Sequence, residues 1–276
     1  MTTRLRVLLL SPSALLLAVL FGFPLGIIFV YSLKQRGAYG GVTAAYTLEN
    51  FMRLWDPLYA MVFVRTLVVA TLATFLCIAL AFPTALFLAR SGKSRRLWLQ
   101  LVLLPFWTSF LIRLYAWVFL LRDTGPVNAL LAWAGLVAAP VPLLYNDGAV
   151  VLGLVYGYLP FAVLPMYAVL ERLDPDLEHA AADLGATPVQ IVRSVVWPQA
   201  LPGVRSASVL VFIASLGAYL VPDLLGGAKS LLAGNLIQNQ FTTARDWPFG
   251  SALALVTMAF TAALLIAVRR RLEHLL

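Results

Sequence analysis

A polar island in a very apolar chain, between Asp174 and Gly203, gathers four of its twelve acids and one of its two histidines. The stretch opens Asp174-Pro175-Asp176-Leu177-Glu178-His179-Ala180-Ala181-Ala182-Asp183-Leu184-Gly185-Ala186-Thr187-Pro188 and closes Trp197-Pro198-Gln199-Ala200-Leu201-Pro202-Gly203. Its acids are placed as helix punctuation. Asp174 before Pro175 is an N-cap followed by proline at the first helical position, with Asp176 and Glu178 favourably in the first turn. Ala180, Ala181 and Ala182 propagate the helix, and Gly185 supplies a left-handed stop. Thr187-Pro188 repeats the start signal for a second helix, with Val189, Val192 and Val196 along one face, and Pro198 is expected to end it. A surface helix of methyl side chains lets another protein's backbone approach closely at little entropic cost. The chemistry on offer is recognition of a partner, not bond-making.

The remaining candidates are thin. Gly92-Lys93-Ser94 is a poor phosphate loop, because Phe87 stands where the first glycine belongs and no strand precedes it. His179 and His274 are far apart in sequence and Cys77 is the single cysteine, so neither a metal site nor an intrachain disulfide is expected. No Ser/His or Asp/Asp constellation appears within the apolar runs, which argues against an enzyme. Arg113 lies near the middle of such a run. A span arginine is costly unless it is paired or faces water, so it counts as a functional candidate.

The elements that carry these residues belong to a membrane. The 276 residues are 62% hydrophobic and 12% charged, too little charge to cover a soluble domain. Crossing the hydrocarbon core takes about 20 apolar residues. Six segments qualify, at about 8–32, 60–89, 98–121, 148–170, 204–225 and 248–268. The first is too long for a signal-peptide core. The formal net charge of +8 sits in short clusters between spans, a topology signal and not a face for nucleic acid. Placing both termini and the 171–203 loop in the cytoplasm collects most of the basic residues inside, among them Arg90, Lys93, Arg95, Arg96, Arg172, Arg193 and Arg269 to Arg271. The expected fold is an all-α, six-helix polytopic bundle, one membrane domain over 1–276 with a cytoplasmic helix-turn-helix.

Read as a whole, Glu178-His179-Ala180-Ala181-Ala182-Asp183-Leu184-Gly185-Ala186 with Leu201-Pro202-Gly203 resembles the coupling loop of ABC importer permeases. The family's usual glutamate falls at His179 here, with Glu178 one place earlier. Leu104-Pro105-Phe106-Trp107-Thr108-Ser109, Arg113-Leu114-Tyr115-Ala116-Trp117 and Gly217-Ala218-Tyr219 are similar to the spermidine/putrescine-type members. The resemblance implies an inner-membrane permease subunit of bacteria that binds no cofactor of its own. It implies ATPase subunits carrying ATP and magnesium, docked on Glu178, His179, Ala180, Ala181, Asp183, Gly185, Ala186, Pro202 and Gly203. A second homologous permease, an extracytoplasmic binding protein and membrane lipid complete the expected partners. A path for a small organic cation needs carboxylates and aromatic faces. Asp223, Tyr219, Trp107, Tyr115 and Trp117 are the candidates, and a cation would not seek Arg113. Other cargoes of the same importer class, such as an opine or an aminophosphonate, stay open. An ion-driven secondary transporter would need mid-membrane acids, of which the chain shows almost none.

Overall fold

The computed structural model of the chain describes residues 3–273; His274 and the side chains of Arg4, Arg6 and Arg269 to Arg271 lie outside what it describes. The described residues are almost entirely helical, and they divide into two compact units. One joins the N-terminal segment up to Met61 with the C-terminal segment from Leu236, and the other is Val62–Asn235.

In the first unit, α1 (Thr3–Leu17) and α2 (Phe23–Ser32) are joined by a π-turn, Ala18–Gly22. The π-turn places Pro24 in the first turn of α2, the part of a helix where proline is best tolerated. The polar 33–59 segment folds as a hairpin, β1 (Lys34–Arg36) with β2 (Val42–Tyr46), followed by α3 (Glu49–Arg53). At the hairpin turn, Gly40 and Gly41 take φ of +91° and +79°. Arg36 Nη2 donates to the Ala244 carbonyl at 2.7 Å and Gly41 N to the Arg245 carbonyl at 2.9 Å, so the hairpin leans on the loop before the last helix, α13 (Trp247–Glu273).

The second unit takes in most of α4 (Pro57–Arg90), then α5 (Arg95–Leu103), α6 (Phe110–Leu121), α7 (Pro126–Trp133), α8 (Asp147–Leu170), α9 (Pro175–Asp183), α10 (Pro188–Ile191) and α11 (Trp197–Leu216). The last described helix before α13 is α12 (Ala233–Thr242). At 1.5 Å per residue α4 is about 51 Å long, well beyond a hydrocarbon core of about 30 Å, so its ends stand clear of the core. Small residues hold the unit together, as expected where lipid supplies no hydrophobic drive between helices. Cys77, Ala81 and Ala85 of α4 are fully buried with Ala162, Val163 and Met166 of α8 and Ala200, Ala207 and Val211 of α11. A Cβ on Gly203 would sit 2.9 Å from both the Met166 Cα and the Pro165 carbonyl oxygen, so α8 and α11 cross at that glycine.

Two expected spans differ. The segment expected as one span at 98–121 is broken: Gly92–Trp107 and Phe110–Trp133 meet at 87°. Pro105 drives a 3₁₀ turn over Leu104–Trp107, and Thr108 and Ser109 then turn extended. The expected 204–225 span starts earlier and stops sooner. Helix runs from Pro188 to Leu216, and a separate π-turn, Pro222–Gly226, follows the break at Gly217. Pro198 therefore does not end a helix. A π-turn at Val192–Val196 places it in the first turn of α11. Among the described residues five helices are long and apolar enough to cross a bilayer, or six when the bent pair is taken as one.

Candidate docking loop and solute path

The polar stretch folds as its punctuation dictates. The Asp174 carboxylate accepts from Asp176 N at 3.0 Å, with Pro175 next in line, and α9 begins. At its far end Gly185 adopts φ +83°. Gly185 N donates to the Ala182 carbonyl at 2.8 Å and Ala186 N to the Ala181 carbonyl at 3.1 Å. That pair of bonds is the Schellman closure, which satisfies the last orphan carbonyls of a helix. Immediately beyond, Thr187 N donates to Gln190 Oε1 at 2.7 Å and restarts the chain as α10.

The loop presents a mixed face. His179, Ala180, Asp183, Gly185 and Pro202 are exposed, and Ala181 and Ala186 are half-buried. Leu184 and Val189 are 89% and 77% exposed, large apolar side chains left open beside the alanines. Two members of the expected docking set turn inward. Glu178 is ion-paired to Arg90 at the end of α4, and Gly203 is buried in the α8–α11 crossing, so it offers nothing to the exposed face.

The expected path residues are not brought together. Trp107 is 82% exposed at the break before α6, and Tyr115 is exposed on α6. Tyr219 and Asp223 are both exposed one turn apart, with Asp223 N donating to the Tyr219 carbonyl at 3.1 Å. Only Trp117 of the five lines the large groove of about 920 Å³ between α4 and α8, where it meets Tyr156 edge-on at 5.5 Å.

At one end of that groove is a cluster that the sequence reading did not assemble. Arg65 Nη2 lies 2.7 Å from Asp147 Oδ1, Arg65 Nε donates to Asp147 Oδ2 at 3.0 Å, and Ser230 Oγ donates to Asp147 Oδ1 at 2.6 Å. Beside it Ala233 N donates to Thr66 Oγ1 at 2.9 Å. The partners come from distant parts of the chain, so spacing gave no sign of them. The available signal was Arg65 itself, a charge inside an apolar run that has to be answered by something. Arg113 is answered differently. Its Cζ lies 5.2, 5.4 and 5.8 Å from the ring centroids of Phe106, Phe110 and Tyr156. Three aromatic rings thus carry the charge by cation–π attraction. In the first unit Arg53 pairs with Asp246 at 2.9 Å and stacks 4.0 Å from the Phe249 centroid. Burial works to lower the Arg53 pKa, but the hydrogen bond and charge of Asp246 outweigh it and hold the guanidinium above its ordinary value.

Among the described residues, five or six apolar helices long enough to cross a bilayer, with an ordered helix-turn-helix between two of them, make this a multi-pass membrane protein. The chain belongs to the family of binding-protein-dependent transport system inner membrane components, whose model matches residues 41–275. It is 42% identical over 236 residues to the spermidine/putrescine transport system permease protein PotB of Escherichia coli, covering 85% of this chain and 86% of that one. The protein of the same name from Haemophilus influenzae is 42% identical over 231 residues, covering 83% and 80%. In fold the chain is similar to a bacterial alginate ABC transporter crystallised with an alginate pentasaccharide-bound periplasmic protein, with a TM-score of 0.74, 17% identity, and 95% and 91% of the two chains covered. The protein is thus a multi-pass permease component of the inner membrane that works with a binding protein.

Proposed function

We propose that this chain is a permease subunit of an ATP-driven importer and forms part of the path for a small organic cation of the spermidine/putrescine class. The observation that carries the reading is the identity of 42% over 85% of the chain to permeases of that name. Both termini and the α9–α10 loop are cytoplasmic, in line with the basic turn at Arg90 to Arg96 and the basic C-terminal run. A second homologous permease completes the path. Two ATPase subunits bind ATP and magnesium and receive the α9–α10 loop through His179, Ala180, Ala181, Asp183 and the exposed Leu184 and Val189. Closure of the ATPase pair moves the docked helices, and rigid-body rocking exposes the path to each side in turn.

The test is reconstitution of the full transporter in proteoliposomes, with ATP hydrolysis recorded with the cognate binding protein and spermidine, putrescine, an opine or an aminophosphonate. Stimulation by a polyamine is expected. Stimulation only by another solute moves the cargo and keeps the mechanism, and failure of the subunits to assemble ends the reading. In the same vesicles Ala181→Glu, which puts a charge on the docking face, is expected to cut transport about tenfold or more, since an unpaired charge at a docked surface is costly. Full transport in that variant removes the docking role.

A further inference from the structure

The basic turn between α4 and α5 meets the docking loop at two points. Arg90, the last residue of α4, is ion-paired to Glu178 in the first turn of α9. Arg95, the first residue of α5, lies 2.6 Å from Glu171 at the end of α8. The two arginines therefore grip the segment that enters the docking helix at both of its ends. Helix electrostatics treat the pairs differently. Arg90 sits at a helix C-terminus and Glu178 in a helix N-terminal turn, so both charges are favoured where they stand. Arg95 begins α5 and Glu171 caps α8, the unfavourable end in each case, so that pair persists because the partners offset each other. All four side chains are partly exposed, from 23% for Glu178 to 46% for Arg90. Pairs so exposed add little to global stability, and their placement, joining the loop to the ends of three helices, is what needs explaining.

We propose that Arg90 and Arg95 are positioning residues that make the docking helix move as one body with α4, α5 and α8. On this reading, which rests on the docking role proposed above, Glu178 faces its own chain and does not touch the ATPase. Displacement of α9 by the ATPase then reaches the spans through two charged contacts as well as through the backbone of the loop.

The experiment uses the complete transporter in proteoliposomes and measures three quantities: ATPase retained on the permease, ATP hydrolysis, and solute moved per ATP. Glu178→Arg and Arg90→Glu, made singly, are expected to retain the ATPase and hydrolyse ATP while solute per ATP falls about fivefold or more, the ordinary lower range of coupling between sites. The double exchange, R90E with E178R, is expected to restore solute per ATP to within about twofold of wild type. Unchanged coupling in Glu178→Ala overturns the proposal, and so does loss of ATPase retention in the Glu178 variants alone, because then Glu178 contacts the ATPase directly. A second measurement does not depend on charge reversal. Cysteines at positions 90 and 178 are bridged by a flexible, reducible bifunctional thiol reagent, the native Cys77 being fully buried. The unbridged cysteine pair, which lacks the ion pair, is expected to show lowered solute per ATP, and the bridge to raise it again because it ties together elements that move as one body. Arrest on bridging, reversed by reductant, overturns the proposal. A wild-type chain that retains no ATPase is a different result, since it removes the docking reading and this inference together.

Discussion

A charged side chain in a membrane protein has to be answered, and the answers here differ in strength because the burial differs. Asp246 is 2% exposed, pairs with Arg53 at 2.9 Å, and accepts from Phe249 N at 3.1 Å at the start of α13. Asp147 is 43% exposed and is answered by Arg65 and Ser230 at the rim of a groove. Removing one partner of a buried pair leaves an uncompensated charge and costs about 3–5 kcal/mol. An exposed pair is worth about 0–1 kcal/mol. Arg53→Ala, which leaves the buried Asp246 carboxylate without its counter-charge, is therefore expected to destabilise the protein by about 3 kcal/mol or more, and Asp147→Ala, whose partner Arg65 stays partly open to water, by about 1 kcal/mol. The comparison is read from unfolding midpoints of the two variants in detergent. Equal losses would show that the Asp147 cluster is shielded in a way its exposure does not reveal. Arg113 is answered only in part, since three aromatic faces lie within 6 Å of its guanidinium while its buried Nε has no hydrogen-bond partner among the described residues.

At the scale of the element, two glycines separate conformation from packing. Gly185 holds φ +83° with nothing within 4 Å of the place a methyl group would take, so an alanine there meets only the strain of the left-handed region. Gly203 has ordinary helical backbone, but a methyl group would lie 2.9 Å from the backbone of α8. Gly185→Ala is expected to cost about 1–2 kcal/mol, felt mainly as fraying of the α9 end. Gly203→Ala is expected to cost about 1–3 kcal/mol, felt as separation of α8 from α11. Hydrogen exchange tells them apart: protection falls at Ala180 to Ala186 in the first variant and along α11 in the second, and the reverse pattern would contradict the assignment. The fold of the α9–α10 loop was legible from sequence because caps, prolines and Gly185 are local signals that act on their own neighbours. The break at Thr108–Ser109 was not. Pro105 in an apolar run reads as a tolerated bend, and only the 3₁₀ turn and two extended residues that follow convert it into an 87° corner. Pro198 misled in the opposite sense, because a π-turn shifts the helix register and absorbs the proline that spacing alone reads as a stop.

Across the whole molecule the governing asymmetry is where charge and aromatic rings lie along the chain. The spans were legible because apolar runs long enough to cross a bilayer are rare by chance. The grouping of Asp223, Tyr219, Trp107, Tyr115 and Trp117 was not, because it depends on which helices meet, and the structure leaves these residues scattered. What sequence does constrain at this scale is orientation. The basic turn at Arg90 to Arg96 follows the second span and, with the bent pair taken as one span, the α9–α10 loop follows the fourth, while the hairpin at Lys34 to Tyr46 and α3 follow the first. Any arrangement that places Arg90 inside therefore places Tyr39 outside. Both positions that report on this are open: Leu184 is 89% exposed on the docking loop and Tyr39 is 99% exposed at the hairpin turn. With Cys77→Ser as background, a single cysteine at 39 is expected to react with an impermeant maleimide in intact spheroplasts, and one at 184 only after the membrane is opened. Those two results together establish cytoplasmic placement of the docking loop, where an ATPase can reach it. Labelling of position 184 from outside would put the loop on the far side of the membrane, by an inverted chain if position 39 is then inside or by a bent pair that does not cross if 39 is also outside, and no cytoplasmic ATPase could then dock on α9 whatever the loop's sequence resembles.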